Sequence, residues 1–311
     1  MKTTPKIILA LVLIPIVAIC VLFGYSDLEL DQLKTKYAQA PSSFISIEGM
    51  DVHFRDEGNP LDSLPIVLIH GSGSSLHTFD AWTNSLKNER RIIRMDLPGF
   101  NLTRPFPDRN YTITHYVAFI DQFLSELKIQ TCVLGGNSLG GQIAWNYTRV
   151  HPEVVNKLIL IDAAGYPLES EKVPIAFAIA RIPVLNKVLT FITPKFMARS
   201  SIESVYSDQS LVSETLVDRY FELTLRAGNR QALVDRMTSD VHGNQIELIS
   251  TIRQPTLILW GADDLLATTK SAFRFQADLP NDTLVIIPNV GHVPMEESPL
   301  ESLAVLKAFL K

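Results

Sequence analysis

A series of short, nearly continuous apolar runs constrains this chain most. Ile66-Val67-Leu68-Ile69, Arg91 to Met95, Cys132-Val133-Leu134, Leu158-Ile159-Leu160-Ile161, Thr256 to Trp260 and Leu284 to Ile287 are each short enough for one strand. A strand apolar on both faces persists only inside a sheet covered on both sides, which is the habit of parallel sheets. Helical-period stretches separate the runs, notably Thr114 to Lys128, Leu139 to Arg149 and Pro299 to Leu310. The alternation predicts an α/β domain with a mostly parallel sheet and helices on both faces. Ahead of it, Phe44 to Ile47 and Val52 to Phe54 flank Glu48-Gly49-Met50-Asp51, which reads as a hairpin. From Ala163 to Arg253 the alternation stops; helical periodicity continues without a convincing buried strand, as in an insertion lying over one end of the sheet.

The N-terminus carries a second signal. Ile7 to Tyr25 has no charge, with Lys2 and Lys6 before it and Asp27, Glu29 and Asp31 after. At ~1.5 Å per residue the run reaches about 28 Å, near the ~30 Å hydrocarbon core of a bilayer. Lysines before and acids after orient such a segment with a cytoplasmic N-terminus. The expectation is a signal-anchor or transmembrane segment over 1–26, contacting the membrane through residues 7–25 and holding the domain on the extracytoplasmic side. A signal peptide cleaved near Gly24-Tyr25-Ser26, giving an exported protein, is the alternative. Asp27 to Ala40 reads as a short juxtamembrane helix within a linker over 27–43. The main domain then takes 44–162 and 254–311, interrupted by a helical cap over 163–253.

Composition excludes whole classes. The 311 residues are 46% hydrophobic and 20% charged with a net charge of -5, which rules out a disordered chain and offers no cationic excess for nucleic acid. Cys20 lies in the apolar run and Cys132 on an expected buried strand, so their locations argue against a disulfide between them.

Chemistry gathers at the ends of the runs. Gly136-Asn137-Ser138-Leu139-Gly140 follows a buried strand and opens a helix, the context in which G-x-S-x-G presents a serine on a strained, exposed turn. A serine hydroxyl needs a base, and the base needs an orienting acid. Asn289-Val290-Gly291-His292 follows the last run, and Trp260-Gly261-Ala262-Asp263-Asp264 follows the one before it. Ser138, Asp264 and His292 therefore emerge from one edge of the sheet, where open α/β folds bind ligands. Asp263 competes with Asp264 for the acid. His70-Gly71-Ser72-Gly73 follows the first buried run, and the Ser72 and Leu139 amides are the expected oxyanion donors. His70 is expected to hold loop geometry, and His53, His77, His115, His151 and His242 to be surface or structural. No metal-ligand spacing is visible, and no metal or organic cofactor is expected.

Together H-G-S-G (70–73), D-L-P-G (96–99), G-N-S-L-G-G (136–141), W-G-x-x-D (260–264) and G-H (291–292) resemble the α/β-hydrolase superfamily, in that superfamily's order. The resemblance spans Phe44 to Lys311 and implies a mostly parallel sheet of about eight strands with a helical cap. D-L-P-G-F-N-L-T (96–103) resembles bacterial serine esterases, with Asn101 where those carry glycine. G-N-S-L-G-G is also similar to meta-cleavage C–C bond hydrolases, which usually follow the histidine with tryptophan, whereas Val293 follows His292 here.

The resemblance implies a serine hydrolase that cleaves small-molecule or lipid-like carboxylic esters through an acyl-enzyme, with meta-cleavage C–C hydrolysis as the alternative. A catalytically silent, membrane-tethered binding protein on the same fold is the reading from another class. Oligomeric state is open. The apolar residues from Ile175 to Leu189 are expected chiefly to pack the cap onto the domain.

Overall fold

A computed structural model describes Leu11, Ile14 and residues 21–167, 169–239 and 245–311. The apolar run over 7–25 thus lies mostly outside the described residues, as do Cys20 and His242. Among the described residues, no helix is long and apolar enough to cross a membrane.

In chain order the elements are α1 (Leu30–Tyr37), β1 (Ser42–Ile47), β2 (Met50–Glu57), β3 (Ile66–Ile69), α2 (Asp80–Leu86), β4 (Ile92–Met95), α3 (Ile113–Glu126), β5 (Cys132–Asn137), α4 (Leu139–Val150) and β6 (Val155–Ile161). The cap follows with α5 (Ile175–Ala180), α6 (Leu185–Leu189), α7 (Lys195–Glu203), α8 (Glu214–Thr224) and α9 (Asn229–Thr238). The chain then returns through β7 (Thr256–Gly261), α10 (Thr269–Asp278), β8 (Asp282–Ile287), α11 (Pro294–Glu297) and α12 (Pro299–Leu310). One eight-stranded sheet runs β1-β2-β4-β3-β5-β6-β7-β8. The β1–β2 hairpin and the β2–β4 pair are antiparallel, and every later pairing is parallel. The expected hairpin turn is present: Glu48 and Gly49 both take positive φ, 51° and 74°, which suits a two-residue turn between twisted strands.

The apolar runs divide residue by residue between two cores. Val67, Ile69, Ile93, Leu134, Leu158, Leu160 and Ile258 pack on one face with Phe123, Ile143 and Phe275 from α3, α4 and α10. Their alternates, Ile66, Leu68, Ile92, Val133, Ile159, Leu257 and Leu259, pack on the other face with Trp82 and Leu86 of α2 and Leu303 and Leu306 of α12. This is the period-two alternation of a strand with both faces dry. The Trp82 indole in the second core donates to Ser302 Oγ at 3.0 Å, so its polar edge is satisfied.

The segment between β6 and β7 carries α5 to α9 among its described residues. Residues 27–43 do more than link. Helix α1 buries Leu33 and Tyr37 against Leu102 and Leu223 of α8. Tyr37 Oη and Lys36 Nζ bond Glu222 at 2.7 and 2.8 Å, and Arg230 on α9 pairs with Asp27 at 2.7 Å. Upstream, Thr193 N donates to the Phe23 carbonyl, and Tyr25 N to that of Phe191. The segment is a strap fixed along the cap, and β1 begins directly behind it at Ser42.

Candidate active site

Strand β3 pairs with β4 on one side and β5 on the other, so chain direction through the sheet reverses between β3 and β5. Loops leaving the carboxyl ends of these two strands diverge and open a crevice there. The β5 loop carries Ser138 and the β3 loop carries Gly71 to Ser74.

Ser138 adopts φ 53° and ψ -116°, an uncommon conformation for a residue with a side chain. Close packing enforces it. A Cβ on Gly136 would lie 2.2 Å from the carbonyl carbon of Gly140, and one on Gly140 would lie 2.1 Å from the Ile69 oxygen. Strand, turn and helix can approach this closely only without side chains. Ser138 N donates to the Ile161 carbonyl, and its own carbonyl accepts from Gln142 N and Ala164 N, each at 3.0 Å. Neighbouring Asn137 donates through Nδ2 to the His292 carbonyl at 2.9 Å, tying the serine turn to the histidine loop.

His292 is 5% exposed and its Nδ1 lies 2.6 Å from Asp264 Oδ2. The other oxygen of Asp264 accepts from the amides of Leu266 and Ala267 at 2.8 and 3.0 Å. Asp263 instead faces outward and accepts from Ser207 Oγ at 2.7 Å. Between the two adjacent acids, only Asp264 reaches the imidazole. Nε2 of His292 has no hydrogen-bond partner, so the contact with Ser138 Oγ is not closed in this state. Ser138 and His292 line one cavity together with Ser72 and Leu139. Neither the Ser72 nor the Leu139 amide is used in a turn, loop or capping hydrogen bond. His70 holds the loop: Nε2 accepts from Leu97 N at 2.9 Å, leaving Nδ1–H to donate to the Gly71 carbonyl at 2.8 Å. Burial pushes its proton affinity down, in keeping with that neutral tautomer.

Some groups at the site were not foreseen from sequence. Asp162, just past β6, is fully buried and accepts from Gly261 N at 2.9 Å. Ligand-type atoms of Asp162, Asp264 and His292 lie within 4.8 Å of one another. Burial, then the charge of Asp264, pushes the Asp162 carboxyl well above the ordinary range, and its Oδ2 has no hydrogen-bond partner. The signal available in sequence was an acid ending a buried run, the same signal that marked Asp264. Glu296 accepts from Tyr206 Oη and Tyr220 Oη at 3.0 Å each, and from Thr78 Oγ1. Glu297 accepts from Gly291 N and Asp208 N, both at 2.7 Å. Along with His292 N donating to the Val205 carbonyl at 2.8 Å, these bonds clamp the cap to the histidine loop.

A second Ser-His-Asp row has comparable distances. His53 Nδ1 lies 2.7 Å from Asp96 Oδ2, and Nε2 lies 2.9 Å from Ser42 Oγ. Ser42 Oγ also accepts from Arg55 Nε at 2.9 Å and lines neither cavity at Ser138. This row fastens the hairpin to the loop after β4. Asp96 also receives Asn101 Nδ2 at 3.2 Å, while Asn101 takes φ 51° and donates to the Ser74 carbonyl at 2.6 Å. Asparagine therefore supplies the left-handed backbone a glycine would, and adds two bonds.

A model of the alpha/beta hydrolase family matches residues 66–305. The chain belongs to that family. It is 27% identical to the uncharacterized hydrolase YugF of Bacillus subtilis, covering 84% of this chain and 95% of that one. It is 25% identical to the 2-hydroxy-6-oxo-6-(2'-aminophenyl)hexa-2,4-dienoic acid hydrolase of Metapseudomonas resinovorans, covering 86% and 90%. Among solved structures, a bacterial membrane phospholipase A superposes with a TM-score of 0.71 at 24% identity, covering 99% of this hydrolase and 98% of that chain.

Proposed function

We propose that this hydrolase cleaves carboxylic esters through an acyl-enzyme. In this reading Ser138 attacks the carbonyl while His292 Nε2 takes its proton. Asp264 holds Nδ1–H and stabilises the imidazolium, and the Ser72 and Leu139 amides bind the oxyanion. The alcohol leaves with the proton from His292, and water releases the acid by the same route. The observation carrying the ester reading is an apolar cleft under the cap. It is lined by Ala176, Phe177, Leu189, Met197, Phe221 and Leu233, and Phe177 and Tyr220 join it to the chamber holding Ser138 and His292. Such a slot suits an acyl chain.

The test is labelling by a fluorophosphonate probe, abolished in Ser138→Ala, followed by turnover of p-nitrophenyl esters of increasing chain length. Absence of labelling in folded protein would favour a silent binding role. C–C hydrolysis is the second reading, supported by likeness to the dienoic acid hydrolase and by a nucleophile turn of the same pattern. Faster turnover of a vinylogous 1,5-diketone than of any ester would install it.

We further propose that residues 7–25 tether the protein to a membrane, with the hydrolase domain extracytoplasmic. Support comes from the uncharged run with its flanking charges and from the cap. Val184 and Phe191 are 73% and 72% exposed, with Ile182, Leu185 and Val188 also open, although packing was expected for most of this stretch. Gly24 pairs with Ile192 directly beside this face. Protease accessibility in intact cells and extraction from membranes only by detergent would bear the tether out; recovery in the soluble fraction would overturn it.

A further inference from the structure

The larger cavity at Ser138, about 500 Å³, is walled on its cap side by two cations, Arg181 and Arg236. Arg236, on α9, is 8% exposed. Its Nη2 reaches Gln142 Oε1 at only 3.5 Å, and its Nε has no partner. The acid next to it in sequence, Asp235, is already held by both arms of Arg109 and by Gln231. Arg181 follows α5 at the cavity wall, is exposed, and has no ion pair among the described residues. Burial lowers the proton affinity of Arg236, Tyr116 works against that and Arg181 lowers it further, and among the described residues no carboxylate pairs with either arginine.

An uncompensated buried guanidinium is costly, and two other buried arginines avoid it. Arg94 meets Glu57 and Asp80, and Arg230 meets Asp27. Arg226 also lacks a carboxylate contact, but it donates to the Ala227 carbonyl and lines neither cavity at Ser138. Arg236 stands apart because it lines the chamber that holds the serine, with no carboxylate beside it and its Nε unmet. Guanidinium forks are the side chains best matched to oxyanions. Arg181 and Arg236 line this cavity and not the apolar cleft, so the acyl chain and the alcohol have separate places to go.

We propose that Arg236, with Arg181, forms an anion subsite for the alcohol half of the substrate, making phosphate-bearing acyl esters the preferred class. The proposal rests on the ester reading above.

The test compares hydrolysis of 1-dodecanoylglycerol with that of 1-dodecanoylglycerol 3-phosphate, both below their aggregation concentrations. The wild-type hydrolase should favour the phosphate ester in kcat/KM. Arg236→Gln should lower that preference at least tenfold, through KM, and Arg236→Lys should restore part of it. An unchanged preference in Arg236→Gln, whether both rates fall together or neither does, would overturn the subsite. Titration with glycerol 3-phosphate by calorimetry separates the two ideas. If neither ester is turned over, the ester reading fails alone when wild type binds glycerol 3-phosphate and Arg236→Gln does not. Absence of binding to wild type removes the subsite as well.

Discussion

Asp162 and Asp264 stand just past the carboxyl ends of adjacent parallel strands, β6 and β7, with both buried carboxyl groups within reach of one another and of His292. Two carboxylates this close in a dry site do not both ionise. Asp162 is the one whose carboxyl is pushed up, first by burial and then by the charge of Asp264, which is itself held by two amides and the imidazole.

A raised carboxyl has a definite effect on stability. The folded state retains a proton that the unfolded chain releases above about pH 3.9, so stability falls as pH rises from there toward the raised value. Asp162→Asn mimics the protonated form and removes this loss. The difference in unfolding free energy between pH 5 and pH 8 should shrink, while fluorophosphonate labelling stays within about threefold of wild type. A pH–stability profile identical to wild type would refute the protonation assignment.

Asp264→Asn should lower kcat by about 10³- to 10⁴-fold, since the imidazole loses its tautomer and its counter-charge. Asp263→Asn should stay within about twofold, because its partner is a surface serine rather than His292. Steady-state ester hydrolysis by the two variants decides between the neighbours, and equal losses would contradict the geometry.

His77 sets an acid limit on stability. Burial pushes its imidazole down to about 4, and its neutral form suits accepting from Arg55 Nη2 at 3.3 Å. Between about pH 4 and 6.5 the unfolded chain binds the extra proton, so stability is lost as pH falls through that window. The full swing is on the order of 3 kcal/mol. Urea unfolding at pH 4.5 and 7 should show a smaller difference in His77→Gln than in wild type; an equal difference would count against it.

Leu33→Ala should loosen the strap. Leu33 is 1% exposed against Tyr37, Leu102 and Leu223, and losing its isopropyl group should cost about 2–4 kcal/mol. Hydrogen exchange should quicken in α1 and in α8 beneath it. Faster exchange confined to α1 would mean that the strap does not brace the cap.

Much of the fold was legible because its determinants are local. The two-faced apolar runs required a covered parallel sheet, and the glycines at 136 and 140 announced a turn too tight for side chains. Ser138 and His292 could be named for the same reason, since each sits directly after a strand whose own residues identify it. The linker reading of 27–43 missed the docking of α1, because nothing in that amphipathic octet says which surface will cover Leu33.

Sequence by itself determined the strand and turn grammar, and with it the edge of the sheet from which the serine, the acids and the histidine emerge. Tertiary structure alone decided that Asp264 rather than Asp263 reaches His292, that burial pushes the Asp162 carboxyl up beside it, that Glu296 and Glu297 clamp the cap, and that Arg236 lines the cavity without a carboxylate. These are contacts between groups far apart in the chain, set by side-chain direction and the water excluded around them. Pattern fixes which residues are buried; only packing fixes what each buried charge meets.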